Sequence, residues 1–184
     1  GGHADVAPPD PAESSLAYVE RIVAFCRANR IDLRIAITPS HVHQLEIAAM
    51  LGDDGAAERG KRALVRMLAR DGAAGAVPVW DFSGVSSITT EPLPLRGSRD
   101  EMAFYWDSSH FKSAVGDLVL DRVFATASAA RTVPEDFGVR LDADTIEPAL
   151  ASERARHAAY RERAGDDLAA LRALGDAAAS RSQP

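Results

Sequence analysis

Two short β-branched runs, each set between helical patterns, constrain this chain more than any other feature. "IDLRIAITP" reads as a strand over residues 32–38, closed by Pro39. "AVPVWDFSG" reads as a second strand over residues 77–82, with Pro78 near its start. Before the first run, "ESSLAYVERIVAFCRANR" places Leu16, Val19, Ile22, Val23 and Cys26 at helical spacing. Between the two runs, "SHVHQLEIAAMLG" predicts a short helix with Ser40 as its N-cap and Gly52 as its stop. "DGAAERGKRALVRMLARDG" follows as an amphipathic helix ending near Gly72. Such alternation argues for an α/β fold, with a parallel sheet flanked by helices and right-handed crossovers. Two parallel strands are a poor sheet by themselves. The sheet is therefore expected to be incomplete, and to be finished by something outside this chain.

Beyond the second strand, residues 86–99 are polar and irregular and contain Pro92 and Pro94. The stretch after "WDSSH" predicts a helix with a broad apolar face of Phe111, Val115, Leu118, Val119 and Phe124. "VPEDFGVRL" reads as a loop or short extended segment, and two charged, Ala-rich helices follow it. The expected organisation is a Gly- and Pro-rich lead or linker over residues 1–12 and an α/β domain over 13–140. C-terminal helices over 141–178 and a frayed tail over 179–184 complete it.

Composition narrows the function. Apolar residues make up 46% of the 184 and charged residues 26%, a globular balance with enough chain for one cored domain. The net charge is −6 and the basic residues are mixed with acidic ones, which argues against nucleic acid as a partner. No apolar run approaches the roughly 18 residues that cross a bilayer, and the opening residues do not read as a signal peptide, which leaves the compartment open because a mature exported protein would have lost one. The single cysteine, Cys26, excludes an intrachain disulfide and a Cys-based zinc site, and reads as a small buried hydrophobe.

The stretch "FYWDSSHF" carries the chemistry. A helix opening here would set Asp107 and His110 one turn apart on one face. The carboxylate can then accept from one ring nitrogen, fixing the tautomer and leaving the other nitrogen as a base. Such a base activates a serine hydroxyl or a water for attack on an acyl carbon. The same spacing fits a simpler arrangement, with Asp107 an N-cap and His110 a surface residue of the first turn. Phe104, Tyr105, Trp106 and Phe111 bracket the pair with apolar bulk that serves a desolvated site or plain core packing.

Other candidates lie at the carboxyl ends of the predicted strands, where parallel α/β sheets place ligands. His41 and Ser40 read as rim residues and His43 as a helix-surface residue. His41, His43 and His110 with Asp107 have the donor types for a metal, but positions two apart on a helix diverge, so no metal is expected. Asp81, at a strand tip, reads as the cap of a turn ahead of a second catalytic acid. His3 lies in the lead and His157 on a charged helix, and neither invites a role. Gly84 and Gly97 are turn glycines without phosphate-binding spacing, and no cofactor is expected.

"FYWDSSHFKSAVGDLVLDRVF" resembles the last block of the SGNH hydrolase superfamily, in which D-x-x-H supplies the acid and base of a Ser-His-Asp triad. "ITPSHVHQLE", "VWDFSGVSSITTEP" and "FGVRLDADTIEPAL" are similar to segments of its bacterial branch related to alginate O-acetyltransferase proteins. The resemblance covers about residues 30–150. It implies a three-layer, flavodoxin-like fold, with Asp107 orienting His110 as general base. It further implies ester hydrolysis or O-acyl transfer on acyl esters of carbohydrate, in an extracytoplasmic or periplasmic setting.

The chain departs from that pattern in having no G-D-S and no G-x-N-D. Ser40, Ser83, Ser86, Ser87, Ser108 and Ser109 stand outside the nucleophile's context and read as capping and turn residues. The expectation is therefore the C-terminal part of an SGNH-like esterase, carrying the acid–base pair while another segment or chain carries the serine. A non-catalytic α/β module that assembles through its unfinished sheet edge is the alternative. A metal-dependent hydrolase using His41, His43 and His110 is the third reading.

Overall fold

The structure, a computed structural model, describes residues 15–52, 55–70, 77–94, 98–126 and 131–181. The lead, Gly97, and the last three residues of the tail lie outside them. Among the described residues the architecture is α/β, with six helices and a small mixed sheet. In chain order the elements are α1 (Ser15–Ala28), β1 (Ile35–Ile37), α2 (Val42–Met50), α3 (Ala56–Ala69) and β2 (Val79–Asp81). They continue with α4 (Ser113–Phe124), β3 (Val139–Leu141), α5 (Ile146–Arg163) and α6 (Gly165–Arg181).

The strand order is β1-β2-β3. β1 and β2 run parallel, pairing Ile35 with Val79 and Ile37 with Asp81, as the α/β alternation requires. β3 runs antiparallel to β2, pairing Leu141 with Val79, so the sheet is mixed where a parallel one was expected. Residues 139–141 were expected in a loop or short extended segment and form a full edge strand. Three residues, of which only Leu141 is buried, are too short to reveal an alternating pattern.

Alternation along β2 sorts the core onto two faces. Val79 joins Ile35, Ile37 and Leu141 against Val23 of α1, Leu64 and Leu68 of α3, and Leu150 of α5. Trp80 points the other way, into a cluster of Phe82, Tyr105, Phe137 and the α4 residues Val115 and Leu118. Helices thus cover both faces of the sheet. Because Ile146 and Leu150 share the core of Val79, α5 is a structural partner of the strands.

Helix ends follow local chemistry. α1 closes on Arg30, which adopts a left-handed φ of 56°, while the Asn29 amide caps the Phe25 carbonyl at 2.8 Å. Gly52, at φ 77°, ends α2 as predicted. The N-cap of α2 is His41 rather than Ser40, since the His41 side chain accepts from the His43 amide.

Gly138 has the most demanding backbone position. Its φ is +88°, and a β-carbon there would lie 2.3 Å from Cε1 of the buried Phe82. Gly138→Ala adds left-handed strain to an overpacked core, so a loss of about 2–5 kcal/mol is expected. Urea unfolding checks it, and an unchanged midpoint would show that this corner of the core yields freely.

Candidate functional site

Asp107 and His110 sit at the tip of a tight hairpin. Tyr105 and Phe111 form an antiparallel bridge, the Lys112 amide donates to the Phe104 carbonyl at 2.7 Å, and the Trp106 amide donates to the His110 carbonyl at 2.8 Å. Tyr105, 1% exposed, anchors the hairpin in the core. The helical spacing expected for the pair is therefore corrected: α4 begins only at Ser113, and a turn brings the two side chains together.

The turn belongs to the aspartate. Asp107 Oδ1 accepts from the Ser109 amide at 2.7 Å and from the His110 amide at 2.9 Å, the pattern by which short acidic side chains close turns. His110 Nδ1 lies 2.8 Å from Asp107 Oδ2 and 3.0 Å from Oδ1. The Ser109 amide, followed by the His110 ring, holds the Asp107 carboxyl below the usual carboxylate range. A carboxylate facing Nδ1 assigns the ring proton there and leaves Nε2 as an acceptor.

The hairpin tip is docked on the start of α2. The His41 amide donates to the Ser108 carbonyl at 3.0 Å, and Gln44 Nε2 donates to Ser108 Oγ at 2.7 Å and Ser109 Oγ at 3.0 Å. Since α2 follows β1 directly, these bonds place Asp107 and His110 near the carboxyl end of β1. The pair is nevertheless open to water, the His110 and Asp107 side chains being 75% and 56% exposed. Among the described residues, no serine hydroxyl hydrogen-bonds the His110 ring.

Neither His41 nor Asp81, two of the expected rim residues, turns its side chain to the pair. His41 is buried, not on a rim: its Nε2 donates to the Glu91 carbonyl at 2.8 Å and its Nδ1 accepts from the His43 amide. Burial lowers the His41 pKa, the Glu91 bond only partly opposing it, so the ring is neutral. His43 is buried rather than on the helix surface, with Nε2 2.6 Å from Asp167 Oδ2. Ser40 is half-buried beside them. His41, His43 and His110 thus point at three different partners, and no metal-binding group of three side chains gathers among the described residues. Asp81 caps its turn through the Ser83 amide and hydroxyl, at 2.9 and 2.8 Å.

Asp81 also does what the sequence reading missed. Its Oδ2 lies 2.7 Å from Lys61 Nζ, which lies 2.8 Å from Glu153 Oε2, in the interior between α3, β2 and α5. Burial opposes the ammonium charge, and the two carboxylates outweigh it, so the Lys61 pKa is raised and the side chain stays charged. A proton-holding lysine is no general base. The adjoining cavity, bounded by Asp81, Ser86, Asp136, Glu153 and Arg156, has a volume of about 10 Å³, room for one water and for no substrate.

α2 carries two further polar clasps. Glu46, buried, meets His157 Nε2 at 2.5 Å and Arg161 Nε at 2.9 Å. Tyr160 donates to the same Asp167 oxygen that His43 meets, at 3.0 Å, and burial with that carboxylate raises its phenol pKa. His157, to which the sequence reading gave no role, is one of these fasteners. The only signal available was a charged residue on an otherwise buried helix face, at Glu46 and at Lys61.

The fold and site define an α/β protein with a solvent-facing Asp–His pair on a hairpin beside the sheet's edge strand. Comparison with family models, curated proteins and solved structures finds no match for the chain. No helix among the described residues is long and apolar enough to cross a membrane.

Proposed function

We propose that Asp107 and His110 are the acid–base pair of an SGNH-like ester hydrolase or O-acyltransferase acting on acyl esters of carbohydrate. The observation that carries this reading is the 2.8 Å contact between Asp107 Oδ2 and His110 Nδ1, on a side chain 75% exposed whose Nε2 has no hydrogen-bond partner among the described residues. That is the geometry in which a carboxylate fixes a tautomer and stabilises the imidazolium formed when Nε2 takes a proton. The reaction needs a nucleophilic hydroxyl at Nε2, supplied by a segment or chain other than the described residues.

The open sheet edge supports such a donor. Ile35 and Ile37 use their backbone groups toward β2, through Ile35 N to Pro78 O at 2.9 Å and Phe82 N to Ile37 O at 3.0 Å. Alternation leaves the Ala36 amide and carbonyl on the outer edge of β1, where a further strand can pair. A parallel strand added there would end at the rim that carries the hairpin tip.

A second reading, a non-catalytic module that assembles through this edge, is favoured by the exposure of His110 and by the lack of a serine at its ring among the described residues. One experiment separates them. In the protein as it occurs, hydrolysis of p-nitrophenyl acetate is expected to fall to background in His110→Ala and severely in Asp107→Asn. Unchanged turnover in His110→Ala would sink the acid–base reading. A wild-type protein without turnover would leave the assembly reading in its place.

A further inference from the structure

We propose that the outer edge of β1 is a self-association surface, on which a second copy of this chain adds its own β1 antiparallel and joins the two sheets into one. Among the described residues β1 has one strand neighbour, β2. Its outward backbone groups belong to Ala36, whose side chain is exposed. No proline, lysine or bulge interrupts β1, the devices by which an edge is usually kept from pairing. What singles this edge out is the apolar surface on both sides of it. Ile22, Phe25, Ile31, Leu120 and Phe124 are each 50–54% exposed. On α1, Glu20 pairs with Arg70 of α3, so that flank of the helix faces inward along the sheet. Ile22 lies about 160° around the helix from Glu20, so Ile22, with Phe25 one turn on, overhangs the edge. Ile31 leads directly into the strand. On the opposite face Arg34, just before β1, donates from Nη1 to the Val123 carbonyl at 2.8 Å, and its Cζ sits 4.6 Å from the Phe124 ring centroid. Leu120 lies one turn back from Phe124 on α4.

Symmetry and charge select the occupant. Two identical antiparallel strands are related by a two-fold axis perpendicular to the sheet, which keeps each face on its own side. Ile22 and Phe25 then meet their counterparts over one face, and Leu120 and Phe124 theirs over the other. With Ala36 on the axis, the two Ala36 residues exchange both N–H···O bonds. Ile35 then stands opposite Ile37, and Arg34 opposite Thr38, so no like charges face each other across the ladder. Five large, half-exposed side chains offer on the order of 500 Å² per copy, the larger part of the roughly 800 Å² per partner that a stable interface buries. Antiparallel pairing sends the two hairpin tips to opposite rims of the joined sheet, so neither copy reaches the other's His110. The dimer therefore stands whichever reading of His110 holds, and a foreign strand carrying a hydroxyl would compete with it for β1.

Sedimentation equilibrium of the whole protein from about 1 to 100 μM tests this, and a dimer with a micromolar or tighter Kd is expected. Ile22→Glu with Phe25→Glu should weaken the association about tenfold or more, with circular dichroism showing the helices intact. Ala36→Cys gives a positive readout that does not depend on those variants. Facing Cα atoms about 5.5 Å apart admit a disulfide, so mild oxidation should link two chains. Val139→Cys, on the opposite edge strand, should not link them, and the native Cys26 is buried. His110→Ala should leave the dimer intact, so this proposal and the acid–base reading fail separately. A monomer at every concentration would overturn the dimer and leave the edge to a foreign strand. A dimer that Ala36→Cys does not link, or one that the paired glutamates leave intact in a folded chain, would overturn it as well.

Discussion

Lys61→Ala is expected to destabilise the protein by about 3–5 kcal/mol, the range seen when one member of a buried ion pair is removed. The ammonium bridges Asp81 and Glu153, and the Lys61, Asp81 and Glu153 side chains are 4%, 3% and 17% exposed. Without it, two carboxylates remain close together, shielded from water, next to a cavity too small to hydrate them both. An unpaired buried charge loses its hydration and gains nothing in return. The neighbouring Arg62→Ala is the control. Arg62 also pairs with two glutamates, Glu58 and Glu147, but at the surface, where water screens such pairs and their loss is expected to move the unfolding midpoint little. Chemical denaturation of both variants decides it. Equal small losses would mean that water reaches the Asp81 carboxylate after all.

Glu46→Ala ranks second, at about 2–4 kcal/mol. Glu46 is 2% exposed and fastens α2 to α5 through His157 and Arg161. Its loss is expected to cost less than that of Lys61, since Arg161 and His157 keep 44% and 21% exposure and can turn to solvent. The same residue gives a pH signature. Burial opposes its ionisation, and the bonds from Arg161 and His157 outweigh that, depressing the folded-state pKa. A depressed carboxylate stabilises fully above its unfolded value, about 4.3, and loses that contribution as pH falls through the folded pKa. Part of the acid unfolding of the wild type should therefore be absent in Glu46→Gln. Identical acid limbs for the two proteins would assign that limb to other carboxylates.

Both residues show why part of this molecule could be read in advance and part could not. Helices α1, α3 and α4 were legible because burial at spacings of three and four leaves its imprint within a single turn. The Asp107–His110 contact was legible for a related reason: three residues apart, the two side chains meet within one turn of almost any kind. The kind of turn was not. Asp107 takes the Ser109 and His110 amides itself, and the bridge between Tyr105 and Phe111 holds the loop as a hairpin, so no helix forms there.

The sequence by itself determined the α/β alternation, the parallel pairing of β1 with β2 and the proximity of Asp107 to His110. Each of these depends on residues close in the chain or on a simple rule of connection. Only the tertiary structure decided that β3 closes the sheet antiparallel, that His41 and His43 are interior, and that Lys61 and Glu46 are neutralised from α5. Those outcomes join residues about 50 to 125 apart in the chain, from His41 and Glu91 through Val79 and Leu141 to His43 and Asp167. Whether a polar side chain is a surface group or a buried fastener depends on what lies opposite it, and that is set by the packing of distant elements.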